Sequence, residues 1–149
     1  SYLLPIDFRE NKEAMATNIQ TRKTALADLQ AGKAIGIFPA GGVATSPGFW
    51  RPAEDLEWKR FVIKMIRQSR ATVVPVFFHG QNSRLFQWVS QFSMNLRLGL
   101  LLNEVRNKMG LQLRMELGTP LPYRELEDDI RKPEILNVLR ERVYSLNPD

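Results

Sequence analysis

The sequence contains no cysteine and a single histidine, His79, among its 149 residues. The lack of cysteine excludes disulfides, thiolate catalysis and cysteine-ligated zinc or iron–sulfur sites within this chain. No run approaches the roughly 20 apolar residues that a membrane-spanning helix needs. The first residues also lack the basic and then apolar plan of a signal peptide. We therefore expect a cytoplasmic protein that does not cross a membrane.

Acidic residues are the minority among the charged ones. The chain has 21 lysines and arginines against 16 aspartates and glutamates, a net charge of +5, and its isoelectric point is about 9.8. The summed field of such a chain attracts anions without distinguishing nucleic acid, an anionic membrane surface or a phosphorylated substrate. The charge therefore predicts an anionic partner but does not choose among these classes.

The remaining composition is that of an ordinary folded domain. Hydrophobic residues make up 44% of the chain and charged residues 25%, and a chain of this length usually forms one core. The sequence starts at Ser1, without an initiating methionine, and runs at once into an apolar segment. We interpret residues 1–149 as a single domain, the C-terminal portion of a longer one.

The hydrophobic pattern predicts alternating strands and helices. Short apolar or alternating segments predict four strands, at 2–6, 34–38, 72–78 and 111–117. Helical spacing predicts helices at 11–30, 54–70, 83–109, 124–130 and 134–145. Gly32 is placed to cap the first helix, and Asn95 or Gly99 is placed to break the third. Because strand, helix and strand in succession favour parallel βαβ units, we expect an α/β fold with a mostly parallel sheet and helices on both faces.

A glycine-rich loop follows the predicted strand at 34–38. Gly41 and Gly42 allow the backbone to approach an anion closely and to present N–H groups to it, and Thr45 and Ser46 add hydroxyl donors. Ligands commonly bind at the carboxyl ends of strands in such sheets. The alternative is a tight connection that binds nothing, and the loop alone does not decide between the two.

Three short segments carry a family resemblance. Ile6-Asp7-Phe8-Arg9, Phe38-Pro39-Ala40-Gly41 and Val74-Pro75-Val76 resemble, in order and spacing, the second, third and fourth motif blocks of the glycerolipid acyltransferases, the lysophosphatidic acid acyltransferases and their relatives. The hemolysin branch of bacterial acyltransferases is the most similar, because its third block also has alanine in place of the usual acidic residue. The resemblance covers most of the chain.

This resemblance implies transfer of a fatty acyl group from acyl carrier protein or coenzyme A to a hydroxyl of a lipid-like acceptor. We expect no cofactor. In the family, a histidine with an aspartate five residues later acts on the acceptor hydroxyl. Five residues after His79 stands Arg84, so we assign no catalytic residue to this chain and expect the catalytic pair before Ser1 and no activity from the chain alone. His79 has no carboxylate in local reach and fits an ordinary loop histidine.

The same resemblance assigns an acceptor-binding role to Arg9 and to the loop residues Phe38, Pro39, Ala40, Gly41 and Gly42. Arg9 offers a planar donor fork to a phosphate or carboxylate. If both strands are parallel, Arg9 and Gly41 follow strands that end at one edge of the sheet and become neighbours. The alternatives are that Arg9 is a solvated side chain and that Pro39 does no more than end a strand.

Two further segments suggest contact with an anionic membrane, as a peripheral protein. One is a basic helix with Lys59, Arg60, Lys64, Arg67 and Arg70, and the other is an aromatic stretch with Phe86, Trp88 and Phe92, flanked by Arg84 and Arg97. Such patterns occur in interfacial helices, although aromatic residues at helical spacing are also typical of a core.

Two other functions stay open on the sequence. A nucleic-acid-binding module is the main alternative, but the chain lacks a recognition motif, and we do not expect nucleic acid as the partner. A non-catalytic scaffold is the second alternative, because the catalytic pair is missing from this chain.

Overall fold

The computed structural model describes residues 3–7, 9, 11–46, 51–92 and 94–147, with the side chains of residues 89–98 excluded. These residues form two compact units, in which separate segments of the chain come together. The first unit consists of residues 1–37, 60–73 and 120–135, and the second of residues 38–59, 74–119 and 136–149. The single-domain assignment stays a prediction.

Six helices and two short strands make up the described part of the chain. In chain order they are α1 (Lys12–Gln30), α2 (Phe61–Ser69), β1 (Val76–Phe78), α3 (Arg84–Phe92), α4 (Met94–Lys108), β2 (Met115–Leu117), α5 (Tyr123–Leu126) and α6 (Ile135–Tyr144).

Helix α1 is set by local signals at both ends. The side chain of Asn11 accepts a hydrogen bond from the Ala14 N–H at 2.8 Å, which satisfies a donor that the first helical turn leaves free. At the other end Gly32, at a φ of 78°, donates to Leu29, and the Lys33 N–H donates to Asp28. This pair of bonds is a Schellman cap, which confirms the predicted role of Gly32.

The predicted parallel sheet is wrong. Strands β1 and β2 pair antiparallel, with Phe77 opposite Glu116, and they form a sheet of two strands. Within the described residues the predicted strands at 2–6 and 34–38 are absent; Tyr2 lies outside these residues. An apolar alternating segment indicates that a strand will pair, but it specifies neither the partner nor its direction.

Helix α1 takes the place of a partner strand for the N-terminal segment. Asn18 accepts from the Asp7 N–H at 2.8 Å and donates to the Asp7 carbonyl at 2.7 Å, and the Thr21 hydroxyl donates to the Pro5 carbonyl at 2.8 Å. Because side chains of α1 satisfy these backbone groups, the segment is extended without belonging to a sheet.

The predicted helix at 54–70 begins later than expected, at Phe61. Glu54 instead exchanges two backbone hydrogen bonds with Thr45, at 3.0 and 3.1 Å, and the Lys59 N–H donates to the Pro39 carbonyl at 2.9 Å. The backbone groups that would form the first helical turns are therefore used to hold the glycine-rich loop.

The two units have separate apolar centres. In the first unit α2 buries four residues of one face, Val62, Ile63, Met65 and Ile66. Leu126, the last residue of α5, and Ile130 after it are also buried. In the second unit Phe86 on α3 is fully buried, and α3 packs against α4. In place of the single predicted helix at 83–109 there are two helices, α3 ending at Phe92 and α4 beginning at Met94, and residue 93 lies outside the described residues.

Candidate functional site

The segment from Phe38 to Gly41 folds as a closed turn in the second unit. The Gly41 N–H donates to the Phe38 carbonyl at 3.1 Å, and Gly41 adopts a φ of 65°, which is unfavourable for residues with a Cβ. The Pro39 carbonyl accepts from Lys59, and Ala40 is buried. Because the turn uses the Gly41 N–H, that group is not available to an anion in this conformation.

Gly42 and the residues that follow pack against the returning chain. A Cβ at Gly42 would lie 3.0 Å from Leu56 Cδ1, so a larger residue would displace that side chain. Ser46 is buried; its N–H donates to Gln87 Oε1 at 2.7 Å and its hydroxyl to the Arg51 carbonyl at 2.6 Å. Residues 38–46 of the loop are therefore held in one conformation by these contacts, and residues 47–50 lie outside the described ones.

Phe38 lies on the surface of this turn. Its side chain is 74% exposed, and its ring centroid lies 6.1 Å from that of Phe78, which is also exposed. The two rings therefore form a small exposed apolar surface beside the turn.

Arg9 lies in the first unit and is engaged by its own neighbour. Asp7 accepts from the guanidinium at Nε, at 3.0 and 3.1 Å, and at Nη2, at 2.6 Å. Hydrogen bonding from the Arg9 side chain and then from its backbone N–H lowers the pKa of Asp7, and the same side-chain bond raises the pKa of Arg9. Among the described residues, no protein group accepts from Nη1.

The expected proximity of Arg9 to Gly41 stays a prediction. We expected the two residues to be close because each was predicted to follow a strand of a parallel sheet. The described residues form no parallel strands. The two residues belong to different units, and Phe8, within the same motif block, lies outside the described residues.

His79 has a carboxylate beside it, which the sequence analysis missed. Its Nε2 lies 3.3 Å from Glu116 Oε1, and the side chain of His79 is 17% exposed. Antiparallel pairing of β1 with β2 places these residues diagonally across the two strands, with the His79 N–H donating to the Arg114 carbonyl. The pairing brings together residues far apart in the sequence, so local spacing could not reveal it.

Glu116 also binds Arg114, whose Nη2 lies 2.9 Å and whose Nε lies 3.1 Å from the same carboxylate oxygen. This hydrogen bond is the main reason that the pKa of Glu116 is lowered; burial opposes the shift, and His79 adds a smaller contribution in the same direction. Glu116 therefore faces the imidazole at ion-pair distance, while His79 Nε2 is buried and makes no hydrogen bond of normal geometry among the described residues.

The aromatic residues suggested for membrane contact differ in burial. Phe86 is fully buried and belongs to the core of the second unit, whereas Trp88 is half-exposed. The side chains of Phe92 and Arg97 lie outside the described ones. Within the described residues, no helix is long and apolar enough to cross a membrane.

Comparisons with known proteins find two lipid-modifying relatives. The chain is 27% identical over 117 residues to a lyso-glycine lipid O-acyltransferase of Phocaeicola vulgatus. The aligned region covers 74% of this chain and 41% of that relative. It is 28% identical over 99 residues to a lyso-glycine lipid O-acyltransferase of Bacteroides thetaiotaomicron, covering 62% of this chain and 36% of that relative. No family model matches the chain. No solved structure matches it either.

These similarities support an acyltransferase relationship, as the motif blocks suggested. The chain spans about two fifths of the length of the curated relatives that it matches.

Proposed function

We propose that this chain is part of an acyltransferase that moves a fatty acyl group from a thioester donor, acyl carrier protein or coenzyme A, to a hydroxyl of a lipid-like acceptor. The observation that carries the proposal is the similarity to two lyso-glycine lipid O-acyltransferases over most of the chain. The acceptor that fits these relatives is a lysolipid with a free hydroxyl.

In this reaction the acceptor oxygen attacks the thioester carbonyl carbon, the carbon–sulfur bond breaks, and the thiol leaves with the proton that the hydroxyl loses. The general base is proposed to be a histidine outside this chain, paired with an aspartate five residues later. The hemolysin branch is the proposed branch of the family, and peripheral contact with a membrane is proposed because the acceptor is a lipid.

The acceptor-binding residues proposed here are Arg9 and the turn formed by 38–42. The exposed Phe38 ring offers an apolar surface. Among the described residues, no group accepts from Nη1 of Arg9, so this edge could donate to an acidic head group, although the paired Asp7 carboxylate reduces the net attraction.

Acceptor kinetics of the full-length gene product test the turn. Gly41→Ala introduces a Cβ at a φ of 65° and strains the turn, so we expect kcat/KM for the lysolipid to fall about tenfold, which corresponds to about 1.4 kcal/mol of transition-state binding. Gly32→Ala is the matched control, since it strains a glycine of similar φ, 78°, in the cap of α1. Equal losses from both variants would assign the effect to stability and remove the binding role of the turn.

Arg9→Ala tests the second part of the site. We expect a higher KM for the acceptor and an almost unchanged KM for the donor, because the substitution removes an acceptor contact alone. Asp7→Asn is the companion variant: it releases the guanidinium from its carboxylate and should lower the acceptor KM. If neither variant changes acceptor kinetics, Arg9 has no binding role.

A further inference from the structure

The first unit contains a cavity of about 460 Å³ on one face of α2. Four basic residues and two isoleucines line it: Arg60, Ile63, Lys64, Arg67, Ile130 and Arg131. Its volume falls within the range of roughly 300–1,000 Å³ that is typical of small-molecule sites. The cavity is therefore large enough for more than a bare inorganic anion.

Helical spacing explains why three of the cations face the same space. Arg60, Lys64 and Arg67 stand at positions i, i+4 and i+7 of a helix, which lie on one side of it. Arg131 comes from the turns after α5, where the Ile130 N–H donates to the Leu126 carbonyl at 2.7 Å. Ile130 and Ile63 are buried, so the base of the cavity is fixed and apolar, while the four cations around it are exposed.

The four cations form no ion pair in the part of the chain that the structure describes, whereas the neighbouring Lys132 is paired with Asp129 at 2.6 Å. Like charges one helical turn apart repel each other, so Arg60, Lys64 and Arg67 disfavour the folded state unless an anion binds between them. Cations without ion pairs around a concave surface attract an anion to it.

The residue types indicate which anion fits. Arginine guanidinium groups match the oxygens of a phosphate in bidentate fashion, and lysine contributes a point charge. Ile63 and Ile130 are 7% and 2% exposed, so they close the floor of the cavity and leave its cations to make the contacts with a ligand. We infer that this cavity of the first unit binds the phosphate group of a phosphate ester, and this inference does not depend on the proposed acyl-transfer turn. The ester is either a phospholipid head group in a membrane or a soluble phosphate ester.

Binding measurements on the full chain test this inference without any turnover, so their failure would leave the proposed function intact. Isothermal titration with a short-chain, water-soluble phosphatidic acid should give saturable binding with one site per chain. Flotation with phosphatidylcholine vesicles, with and without phosphatidic acid, identifies the membrane source. Binding of both probes indicates that the site accepts either form, and binding of one identifies the source.

Charge variants locate the site. Lys64→Gln together with Arg67→Gln should raise the Kd by about tenfold for each cation removed, because a hydrogen bond to a charged group contributes about that factor. Lys12→Gln with Lys23→Gln removes the same charge from exposed positions of α1 and should change the Kd less than about threefold. All four residues are exposed, so the α1 control should keep the thermal midpoint of the parent chain. The cavity variant should keep or raise it, because it removes repulsion between like charges.

Three results would overturn the inference. The first is a lack of saturable binding of either probe. The second is an equal loss of affinity in the cavity variant and the α1 control, which would reduce the effect to net charge. The third is binding that a short duplex DNA abolishes equally well in both variants, which would indicate a diffuse basic surface.

Discussion

Replacing Glu104 with glutamine should destabilise the second unit, because this carboxylate joins α4 to the start of α3. Glu104 is 4% exposed and accepts from the Ser83 N–H at 2.9 Å and from the Ser83 hydroxyl. Ser83 Oγ in turn accepts from the Phe86 N–H at 3.2 Å and so caps α3. One buried acidic side chain therefore fixes the residue that begins the neighbouring helix.

The expected magnitude follows from those two hydrogen bonds. Hydrogen bonds to a charged group contribute about 1.5–3 kcal/mol each. Glutamine keeps one acceptor oxygen but buries an amide N–H₂ group beside two donors. We expect Glu104→Gln to lower the free energy of unfolding by about 2 kcal/mol at neutral pH. Denaturant unfolding followed by circular dichroism measures this loss, with the exposed Glu141→Gln as control.

The pH dependence gives an independent check. Burial favours the neutral form of Glu104, but the hydrogen bonds from Ser83, with Lys108 nearby, outweigh burial and hold its pKa below the usual value. A lowered carboxyl pKa stabilises the fold above the unfolded pKa of about 4.3, and this stabilisation is lost as the pH falls through the folded pKa. The difference between parent and Glu104→Gln should therefore shrink below about pH 4.3. An unfolding free energy that equals the parent's at neutral pH, or a difference that stays constant down to the acid transition, would refute this reasoning.

Three further predictions concern the core, a helix cap and catalysis. Phe86→Ala should lower the free energy of unfolding by about 3–5 kcal/mol, because it leaves a cavity. Leu85→Ala, at the exposed neighbouring position, should lower it by less than about 1 kcal/mol. Similar losses for both variants in denaturant unfolding would show that Phe86 is not in a core. Gly32→Ala should cost about 1 kcal/mol because of its positive φ, whereas Gly36→Ala, which has open space around it, should be close to neutral; the reverse order of thermal midpoints would contradict the Schellman cap. The isolated 149-residue chain should transfer no acyl group from either thioester donor. Turnover that His79→Gln abolishes would instead identify His79, the residue that follows β1, as the general base.

Local signals in the sequence predicted the helices better than the sheet. The bounds of α1 follow from Asn11 and Gly32, which act on groups a few residues away, and their positions can be read from the chain. The direction of pairing between β1 and β2 depends on contacts about 40 residues apart, and an alternating pattern carries no information about direction. The parallel sheet was predicted from element order, and that order did not decide the pairing.

The candidate site shows the same division. The turn at Phe38 to Gly41 was recognised from its glycines and proline, which restrict the backbone locally. The carboxylate beside His79 was missed because Glu116 reaches it across two strands. The cations around the α2 cavity were recognised as a basic helix, but Arg131 and the buried isoleucines that make the surface concave come from tertiary packing.

The central proposal is that this chain is part of a protein that acylates a lipid hydroxyl. Its most direct test incubates the full-length gene product with a lysolipid and with acyl carrier protein or coenzyme A thioesters, and follows the products by mass spectrometry. We expect one O-acylated lipid and one free thiol for each thioester consumed. Thioester hydrolysis without an acylated lipid, or no consumption of either donor by the folded protein, would contradict the claim.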